Sequence, residues 1–291
     1  MSTVTVRLIG GLGNQLFQYA AARALAKRHG AEVKLDLSGF ESYGLRRYEL
    51  GAYPIAATVA TADELARIGA PPQRSGFLGR LAGRLMPRPA HHYREPHYRY
   101  DPQLARQPLP IFMDGYWQSE LYFADAADVL RLELTPKEPL EPANADVADK
   151  IRQTKAVSVH VRRGDYVSNA HTNTYHGVCS LDYYRAAIAH IQANVTDAHL
   201  FIFSDDHDWT RDNLKFDLPT TYVTANSADR GFRDMQLMSL CKNHVIANSS
   251  FSWWGAWLNP SPSKIVVAPA RWFAAGDNDT RDLLPEGWVR L

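Results

Sequence analysis

The sequence predicts an α/β protein with mainly parallel sheets, and two observations carry that prediction. The chain opens with a strand, a glycine turn, a helix and a second strand, which together make a β-α-β unit. After residue 142, strand-like runs alternate with helical stretches, as is typical of a parallel sheet covered by helices. In sheets of this kind ligands bind at the carboxyl ends of the strands.

The opening β-α-β unit is predicted to span residues 3–37. Thr3–Ile9 alternates in a strand pattern and is followed by the turn Gly10–Gly13. A helix is predicted from Asn14 to His29, because an apolar stripe recurs at helical spacing and Gly30 ends it. The run Glu32–Leu37 is the next predicted strand.

The glycine turn resembles part of a dinucleotide-binding pattern. Gly11 and Gly13 follow a strand, and Asp36 ends the next strand at a distance suited to a ribose contact. However, Leu16 stands where the third glycine belongs, and no Gly-Lys-Ser/Thr completes a P-loop. We therefore interpret the turn as a helix amino terminus that favours anions, with the amide of Asn14 beside it.

The middle of the chain is organised differently. Residues 70–110 hold many of the prolines, together with the basic and aromatic tract 91–100, and predict a loop-rich region lining a cleft. The proline-rich stretch 135–142 predicts a linker. Domains are therefore expected at 1–140 and 141–291.

The second half alternates regularly. The predicted elements are strands at 157–161, 200–203, 220–223, 244–247 and 264–268, and helices at Leu181–Ala193 and Asp234–Cys241. At the end of the first of these strands, His160 and Arg162 share one face. An arginine fork matches phosphate oxygens, so this strand end is a candidate diphosphate site; the alternative is a half-buried edge strand with a solvated basic end.

Two clusters follow later strands. Ser204–Asp208 offers oxygen ligands for Mg²⁺ or Mn²⁺, but helix capping by Ser204 or Asp205 is favoured because no second carboxylate group matches it. Asn248–Trp257 places serines where a helix begins, which suits a phosphate. Its tryptophans are interpreted as core packing rather than sugar platforms.

Composition excludes several classes of function. The 32 basic and 31 acidic side chains give no electrostatic footprint for nucleic acid. Cys179 and Cys241 lack metal-ligand spacing and are interpreted as incidental thiols. No apolar run is long enough to span a bilayer and no signal peptide is recognised, so we expect a cytoplasmic protein, with peripheral association at the inner membrane face left open.

Several segments together resemble the α-1,2-fucosyltransferases of glycosyltransferase family 11. They are Gly10–Tyr19, His160–Val167, Asp234–Ser239 and Ile246–Asn259. Each is modest alone, but their order and their spread over nearly the whole chain make the resemblance specific.

The resemblance implies a GT-B fold of two Rossmann-like domains facing a cleft. Residues 1–140 would form the acceptor-side domain and 141–291 the GDP-fucose-binding domain. The implied reaction is inverting transfer of L-fucose from GDP-β-L-fucose to the 2-hydroxyl of a terminal β-galactoside, without a metal or other cofactor. The acceptor would be a galactose-terminated oligosaccharide or a glycolipid-linked glycan, with residues 70–125 shaping its site.

The resemblance also implies roles for individual residues. Arg162 would contact the donor β-phosphate, His160 and Asp234 the nucleoside, and Asn14 corresponds to an important asparagine of protein O-fucosyltransferases. The remaining donor-binding residues belong to the serine-headed helix: Asn248, Ser249, Ser250, Phe251 and Ser252.

Two residues are candidates for the general base that would accept the proton of the acceptor hydroxyl. Asp165 is the first candidate because it follows the phosphate-binding arginine, and His176 is the second. Asp165 is equally expected as a structural partner of Arg162 or Arg163. The glutamate that α-1,6 enzymes place ten positions after their motif histidine is replaced here by Ala170. Fucosylation of another linkage (α-1,6 or protein O-) and non-catalytic sugar-nucleotide binding are the alternatives.

Overall fold

The structure is a computed structural model that divides into two compact units. Unit 1 comprises Met1–Thr135 and Asp279–Leu283, and unit 2 comprises Pro136–Asn278 and Leu284–Leu291. The residues described are 2–40, 46–71, 91–164, 174–175, 177–276 and 278–291. The units divide within the stretch 135–142, and the segment Asp279–Leu283 of unit 1 was not foreseen in the predicted domain 1–140.

Unit 1 is a parallel α/β unit. Its strands are β1 (Thr3–Arg7), β2 (Glu32–Asp36), β3 (Thr58–Val59), β4 (His92–Arg94) and β5 (Ile111–Asp114), and its helices are α1 (Leu12–His29), α2 (Ala62–Ile68) and α3 (Ala127–Glu133). The described strands pair in parallel in the order β3-β2-β1-β5-β4. The order reverses beside β1, so the topological switch point of unit 1 lies between β1 and β5.

Helix α1 lies in the interior of unit 1. It follows the turn at Gly10, whose φ of 79° suits glycine, and its side chains are buried from Leu12 through most of its length. It ends at Gly30 in the left-handed conformation, where the Ala31 N–H donates to the Ala26 carbonyl at 2.9 Å. The predicted strand, turn and helix are confirmed, with the helix starting two residues before Asn14.

Unit 2 has the doubly wound topology. Its strands are β6 (Lys155–Val161), β7 (Ala198–Ser204), β8 (Thr220–Val223), β9 (Asn243–Val245), β10 (Val266–Ala268) and β11 (Val289–Arg290), and its helices are α4 (Pro142–Arg152), α5 (Leu181–Asn194), α6 (His207–Asn213), α7 (Gly231–Leu240) and α8 (Ser250–Trp257). The described strands pair in parallel in the order β11-β10-β9-β6-β7-β8. The order reverses between β6 and β9, which is the switch point of unit 2.

Strand β6 is the central strand of unit 2, not an edge strand. It pairs with β7 on one side and β9 on the other, and every residue after Lys155 is buried. Val157, Val159 and Val161 belong to a core cluster shared with α5, while Ala156 packs in a second cluster with α7. The edge-strand alternative for His160 and Arg162 is therefore wrong, because helices cover both faces of this parallel sheet.

A buried polar network joins β6 to β9. The Asn259 side-chain amide donates to His244 Nε2 at 3.0 Å, so His244 carries its proton on Nδ1 and donates to Ser158 Oγ at 2.8 Å. Burial lowers the pKa of His244 to about 3, which keeps the ring neutral. Because Ser158 Oγ accepts this hydrogen bond, the neutral His244 does not act as a base toward Ser158, and the trio stabilises the sheet beside the switch point.

The tryptophans of α8 pack in the core of unit 2, as predicted. Trp253 and Trp254 are fully buried and Trp257 nearly so, and the rings of Trp253 and Trp254 meet edge to face at 5.1 Å. No helix among the described residues is both long and apolar enough to cross a membrane.

Candidate functional site

The switch point of unit 2 brings together most of the predicted donor-binding residues. His160 is the penultimate residue of β6 and Arg162 lies immediately beyond the strand. The chain leaving the neighbouring β9 reaches Asn248 and then α8, so the serine-headed helix begins at the same edge of the sheet. In doubly wound sheets this edge is where ligands bind.

His160 is a buried neutral histidine with an unused ring nitrogen. Its exposure is 5%, and burial lowers its pKa to about 4, with the Arg162 charge acting in the same direction against Asp205. Among the described residues, Nδ1 has no hydrogen-bond partner. The ring lies 5.4 Å from the ring of Phe251, so an aromatic surface adjoins an unsatisfied polar atom. Such atoms are rare in folded proteins and indicate a site that receives a ligand or water.

Arg162 is oriented by an acidic partner that the sequence did not identify. Its Nη1 lies 2.8 Å from Asp205 Oδ2, and Asp205 Oδ1 accepts the Arg163 N–H at 2.8 Å. Partial burial opposes the Asp205 charge, but the Arg162 guanidinium and the N–H groups of Arg163 and Gly164 hold the pKa of this carboxyl below its usual value. Asp205 therefore fixes both the chain after β6 and the direction of the guanidinium.

Arg163 is held in a structural position. Its Nε lies 3.2 Å from Asp206 Oδ2, and its guanidinium carbon lies 3.8 Å from the centre of the Trp209 ring. Asp206 also caps α6 by accepting the Trp209 N–H at 3.2 Å. The favoured capping interpretation is confirmed in kind, but the cap is Asp206 instead of Ser204 or Asp205. Among the described residues, no cluster of three or more histidine, cysteine, aspartate or glutamate side chains could hold a metal.

The amino terminus of α8 lacks a side-chain cap. Ser249 is the residue before the helix, in extended conformation, and its hydroxyl does not accept a first-turn N–H. The opening N–H groups of a helix have no intrahelical partners, so this end favours an anion. Ser250 is partly exposed here. Ser252 differs from expectation, because it is fully buried and donates to the carbonyls of Ala247 and Ser249.

Asn248 braces the loop around the switch point. Its side-chain amide donates to the carbonyls of Gly177 at 3.3 Å and Trp272 at 3.2 Å, and its oxygen accepts from Cys179 Sγ at 3.5 Å. The structure thus ties Asn248 to protein groups, so its predicted contact with a donor would have to be made in addition to these. Burial raises the pKa of the Cys179 thiol to about 11, in keeping with an unreactive thiol.

Asp234 lies on the first turn of α7, the helix whose first residue adjoins Phe251. Gly231, which starts α7, is so close to Phe251 that an ideal Cβ would lie 3.5 Å from its ring. Asp234 Oδ1 accepts from the Asn226 side chain at 2.7 Å. Burial raises the pKa of Asp234 to about 6, although the Asn226 hydrogen bond opposes this. The carboxylate is therefore kept in a setting that favours protonation, as is common at functional sites.

The switch point of unit 1 presents amides. The Gln118 side chain donates to Asn14 Oδ1 at 2.9 Å, and Gly10 is packed so closely that an ideal Cβ would lie 2.5 Å from Asn14 Nδ2. Asp36 is fully buried, with its Oδ2 2.9 Å from Arg7 Nε, and also accepts the Ser38 N–H. The ribose contact considered for Asp36 is thereby excluded, because its oxygens serve the interior of unit 1.

Glu95 is a residue that the sequence reasoning missed. It follows β4 and accepts the backbone N–H groups of Tyr116 at 2.7 Å and Trp117 at 2.9 Å. Burial raises its pKa to about 7 despite these two bonds, and the Asp114 charge adds to the effect. Its only signal in the sequence was its place in the tract 91–100. The base candidates Asp165 and His176 lie outside the described residues.

Comparison with known proteins identifies the relatives of this chain. Residues 93–291 match the model of glycosyl transferase family 11. The chain is 35% identical to an alpha-1,2-colitosyltransferase of Escherichia coli, over 100% of this chain and 99% of that protein. It is 34% identical to the Escherichia coli O-antigen biosynthesis glycosyltransferase WbnK, over 98% and 99%. A galactoside alpha-(1,2)-fucosyltransferase 2 of Oryctolagus cuniculus is 25% identical over 87% of this chain and 66% of its own length.

A solved structure supports the fold. A mutant of Arabidopsis thaliana FUT1 in complex with GDP superposes with a TM-score of 0.51 at 11% identity, over 91% of this chain and 70% of that one. Together with the two parallel α/β units, this confirms the predicted α/β fold of GT-B type. The family match and the full-length similarity to the two bacterial transferases lead to one conclusion: the chain is a glycosyltransferase and belongs to glycosyl transferase family 11.

Proposed function

We propose that the chain transfers L-fucose from GDP-β-L-fucose, with inversion, to the 2-hydroxyl of a terminal β-galactoside. The acceptor would be a galactose-terminated oligosaccharide or a glycolipid-linked glycan. The relatives support this linkage, since their names specify alpha-1,2 transfer and, for the rabbit protein, a galactoside and fucose. The donor half of the proposal is supported by the geometry of unit 2.

One observation carries the proposal, namely the unsatisfied Nδ1 of buried His160 at the switch point. A neutral imidazole at this depth can exchange a hydrogen bond with a ribose hydroxyl or a base without adding charge. Phe251 beside it offers an apolar wall for the nucleoside. A water molecule could bond His160 Nδ1, but only a ligand with an apolar or aromatic face would also pack against Phe251.

The diphosphate would lie between Arg162 and the start of α8. The guanidinium and the uncapped helix end both favour negative charge. When the glycosidic bond to phosphate breaks, negative charge grows on the departing GDP, and donors already aimed at it lower the barrier. We also propose that no metal is needed, because these groups supply the positive potential that a cation would otherwise provide.

Asp234 is proposed to recognise the base. A carboxylate accepts hydrogen bonds from the two adjacent N–H donors of guanine, and adenine lacks that pair. Asp234 lies on the first turn of α7, and Gly231 at the start of that helix adjoins Phe251, which supports the proposed role of the carboxylate beside the nucleoside. The Asn226 amide holds one carboxylate oxygen in place.

Inversion follows if the acceptor hydroxyl attacks the anomeric carbon directly, opposite the leaving diphosphate. A general base would assist by taking the hydroxyl proton as the new bond forms. Asp165 remains the first proposed base and His176 the second. Parallel pH–rate profiles of Asp165→Asn and His176→Ala would test them, and unchanged profiles in both would contradict a role for either.

The direct test is transfer from GDP-β-L-fucose to a panel of β-galactosides, with the product linkage and anomer determined by NMR. We expect an α-1,2 product and unchanged activity in EDTA. An α-1,6 product or fucosylated protein would contradict the linkage. Tight GDP-fucose binding without turnover on any acceptor would contradict the proposed reaction.

GDP-colitose is a second candidate donor, favoured by the 35% identity to the alpha-1,2-colitosyltransferase over the whole chain. Colitose is L-fucose without its 3-hydroxyl, so the same nucleotide site would accept both donors. Competition between the two donors in one assay distinguishes them. A site that hydrogen-bonds the 3-hydroxyl discriminates strongly against the analogue lacking it.

A further inference from the structure

The turn at 115–118, which follows β5, holds a strained residue. Trp117 has a φ of 57°, in the left-handed region that bulky side chains rarely adopt, and its side chain is fully buried. A conformation of this kind persists only where the surroundings determine it, and such residues cluster at functional sites. The turn at 115–118 is therefore a candidate functional element of unit 1.

Glu95 holds the turn. Its two carboxylate oxygens each accept one backbone N–H, from Tyr116 at 2.7 Å and from Trp117 at 2.9 Å. Gly115 permits this approach, because an ideal Cβ there would lie 2.4 Å from Glu95 Cβ. Because both oxygens accept backbone N–H groups of the turn, Glu95 braces the turn.

The turn brings Gln118 to the first turn of α1, the helix that follows β1. The buried side chain of Gln118 donates to Asn14 Oδ1 at 2.9 Å. Gln18 adds a second connection between the two strand ends, since it donates to the Gly115 carbonyl at 3.2 Å and accepts the Ile9 N–H at 3.0 Å. With Oδ1 occupied, the Asn14 Nδ2 donors make no hydrogen bond within the part of the chain that the structure describes, so they can serve another partner.

We propose that Glu95 and Gln118 are positioning residues for the Asn14 amide, which they hold in the orientation that donates Nδ2 hydrogens to the substrate. This inference rests on the proposed function and extends it, because it assigns the Asn14 amide to a reacting sugar and not to GDP. Burial raises the pKa of the Glu95 carboxyl to about 7, and shifts of this kind cluster at functional sites. The left-handed conformation of Trp117 also supports a functional role for this turn.

The experiment compares steady-state transfer and GDP binding in four single variants and one double variant. Glu95→Gln replaces one acceptor oxygen with an NH₂ group that cannot accept the second N–H, and Gln118→Met keeps the volume but removes the bond to Asn14. Asn14→Ala removes the amide itself. Glu64→Gln is the matched control, because Glu64 also accepts a backbone N–H, that of Thr61 at 2.8 Å, but does so in the exposed cap of α2.

We expect Glu95→Gln and Gln118→Met to lower kcat by about 10- to 100-fold, the loss typical of a misplaced substrate-contacting group. GDP affinity should be unchanged, since the nucleotide contacts belong to unit 2. The double variant Asn14→Ala with Glu95→Gln should be no slower than Asn14→Ala alone, because both changes act through one amide. Glu64→Gln should have normal activity.

Two outcomes would overturn the inference. Normal kcat in folded Glu95→Gln and Gln118→Met, with Asn14→Ala impaired, would overturn it while leaving the proposed function intact. Additive losses in the double variant would mean that Glu95 acts on general stability. If Glu95→Gln does not fold, Gln118→Met alone decides. Absence of transfer by the wild-type protein would instead contradict the proposed function.

Discussion

The two switch points of this molecule share a topology but differ in chemistry. In unit 2, the strand ends carry a neutral buried histidine, an arginine paired with Asp205 and an uncapped helix. In unit 1, the corresponding edge carries the amides of Asn14 and Gln118 and a glutamate engaged with backbone N–H groups. Parallel α/β architecture fixes where a ligand binds, and the side chains at the strand ends decide which ligand it is.

The two switch points present groups suited to different parts of a transferase's substrates. The arginine fork and the uncapped helix end in unit 2 suit a diphosphate, whereas the oriented amides in unit 1 suit hydroxyl and ether oxygens. Substitutions at the two edges should therefore have different effects. Variants of Arg162, His160, Asp234 and Ser249 test the edge in unit 2, and the variants of Asn14, Glu95 and Gln118 described above test the edge in unit 1.

The largest effect is expected for Arg162→Ala. Removing a donor aimed at developing negative charge typically lowers kcat by about 10²–10³-fold, so transfer should nearly vanish while the thermal unfolding curve stays normal. Arg162→Lys should rescue poorly, because an ammonium does not replace the planar fork. Arg152→Ala is the matched control, since Arg152 forms only an exposed pair with Asp149 on α4. Near-normal turnover of folded Arg162→Ala would refute the contrast.

A smaller effect is expected for His160→Phe. Phenylalanine keeps the ring and its packing near Phe251 but leaves the nucleoside without its hydrogen-bond partner, which should weaken GDP binding roughly 10- to 100-fold. Calorimetric titration with GDP measures this. His199→Phe on β7, which loses a hydrogen bond to Thr221, should bind GDP normally. Equal affinities in the two variants would mean that His160 does not contact the nucleotide.

The third prediction concerns pH. The pKa of Asp234 is about 6, and only the ionised carboxylate accepts the two guanine N–H bonds. GDP affinity should therefore be full above pH 7 and fall as the pH drops through 6, reaching about tenfold weaker one unit below the pKa. Asp234→Asn should bind weakly at every pH, without this dependence. A wild-type affinity that stays constant from pH 5 to 7 would contradict the assignment.

The smallest effect on GDP binding is expected for Ser249→Ala, which is compared with Ser180→Ala because both serines directly precede a helix. Ser249 makes no cap bond, so Ser249→Ala should leave stability unchanged and weaken GDP binding by roughly 3- to 10-fold, the value of one hydrogen bond. Ser180 caps α5 by accepting the Tyr183 N–H at 3.1 Å, so Ser180→Ala should lower the unfolding free energy by about 1 kcal/mol and leave binding unchanged. Thermal unfolding and GDP titration of both variants measure these. The reverse pattern would show that the α8 terminus does not hold the diphosphate.

Much of the fold could be read from local pattern. The strand at 220–223 has the predicted bounds, and the predicted helix 181–193 extends by a single residue, because alternation and helical periodicity are local properties. Strand β4 was missed, since its three residues lie in a tract of histidine, tyrosine and arginine that reads as loop. Its strand conformation comes from pairing with β5, which is a long-range effect.

Site residues could be predicted where the residue type and its position at a strand end indicate the chemistry. They could not be predicted where the role depends on a partner that is distant in sequence. His160 and Arg162 were visible as a strand end. Asp205 as the partner of Arg162 was not, because it depends on the register that aligns Val161 with Ser204 across β6 and β7. Glu95 was missed for the same reason, since its N–H partners lie about twenty positions downstream on another strand end.

The central claim is that the nucleotide binds at the switch point of unit 2. A crystal structure of the protein with GDP tests it most directly. We expect the diphosphate at the start of α8 within hydrogen-bonding distance of the Arg162 guanidinium, with His160 Nδ1 bonded to the nucleoside. GDP bound at the glycine turn of unit 1, with His160 Nδ1 still unpartnered, would contradict it.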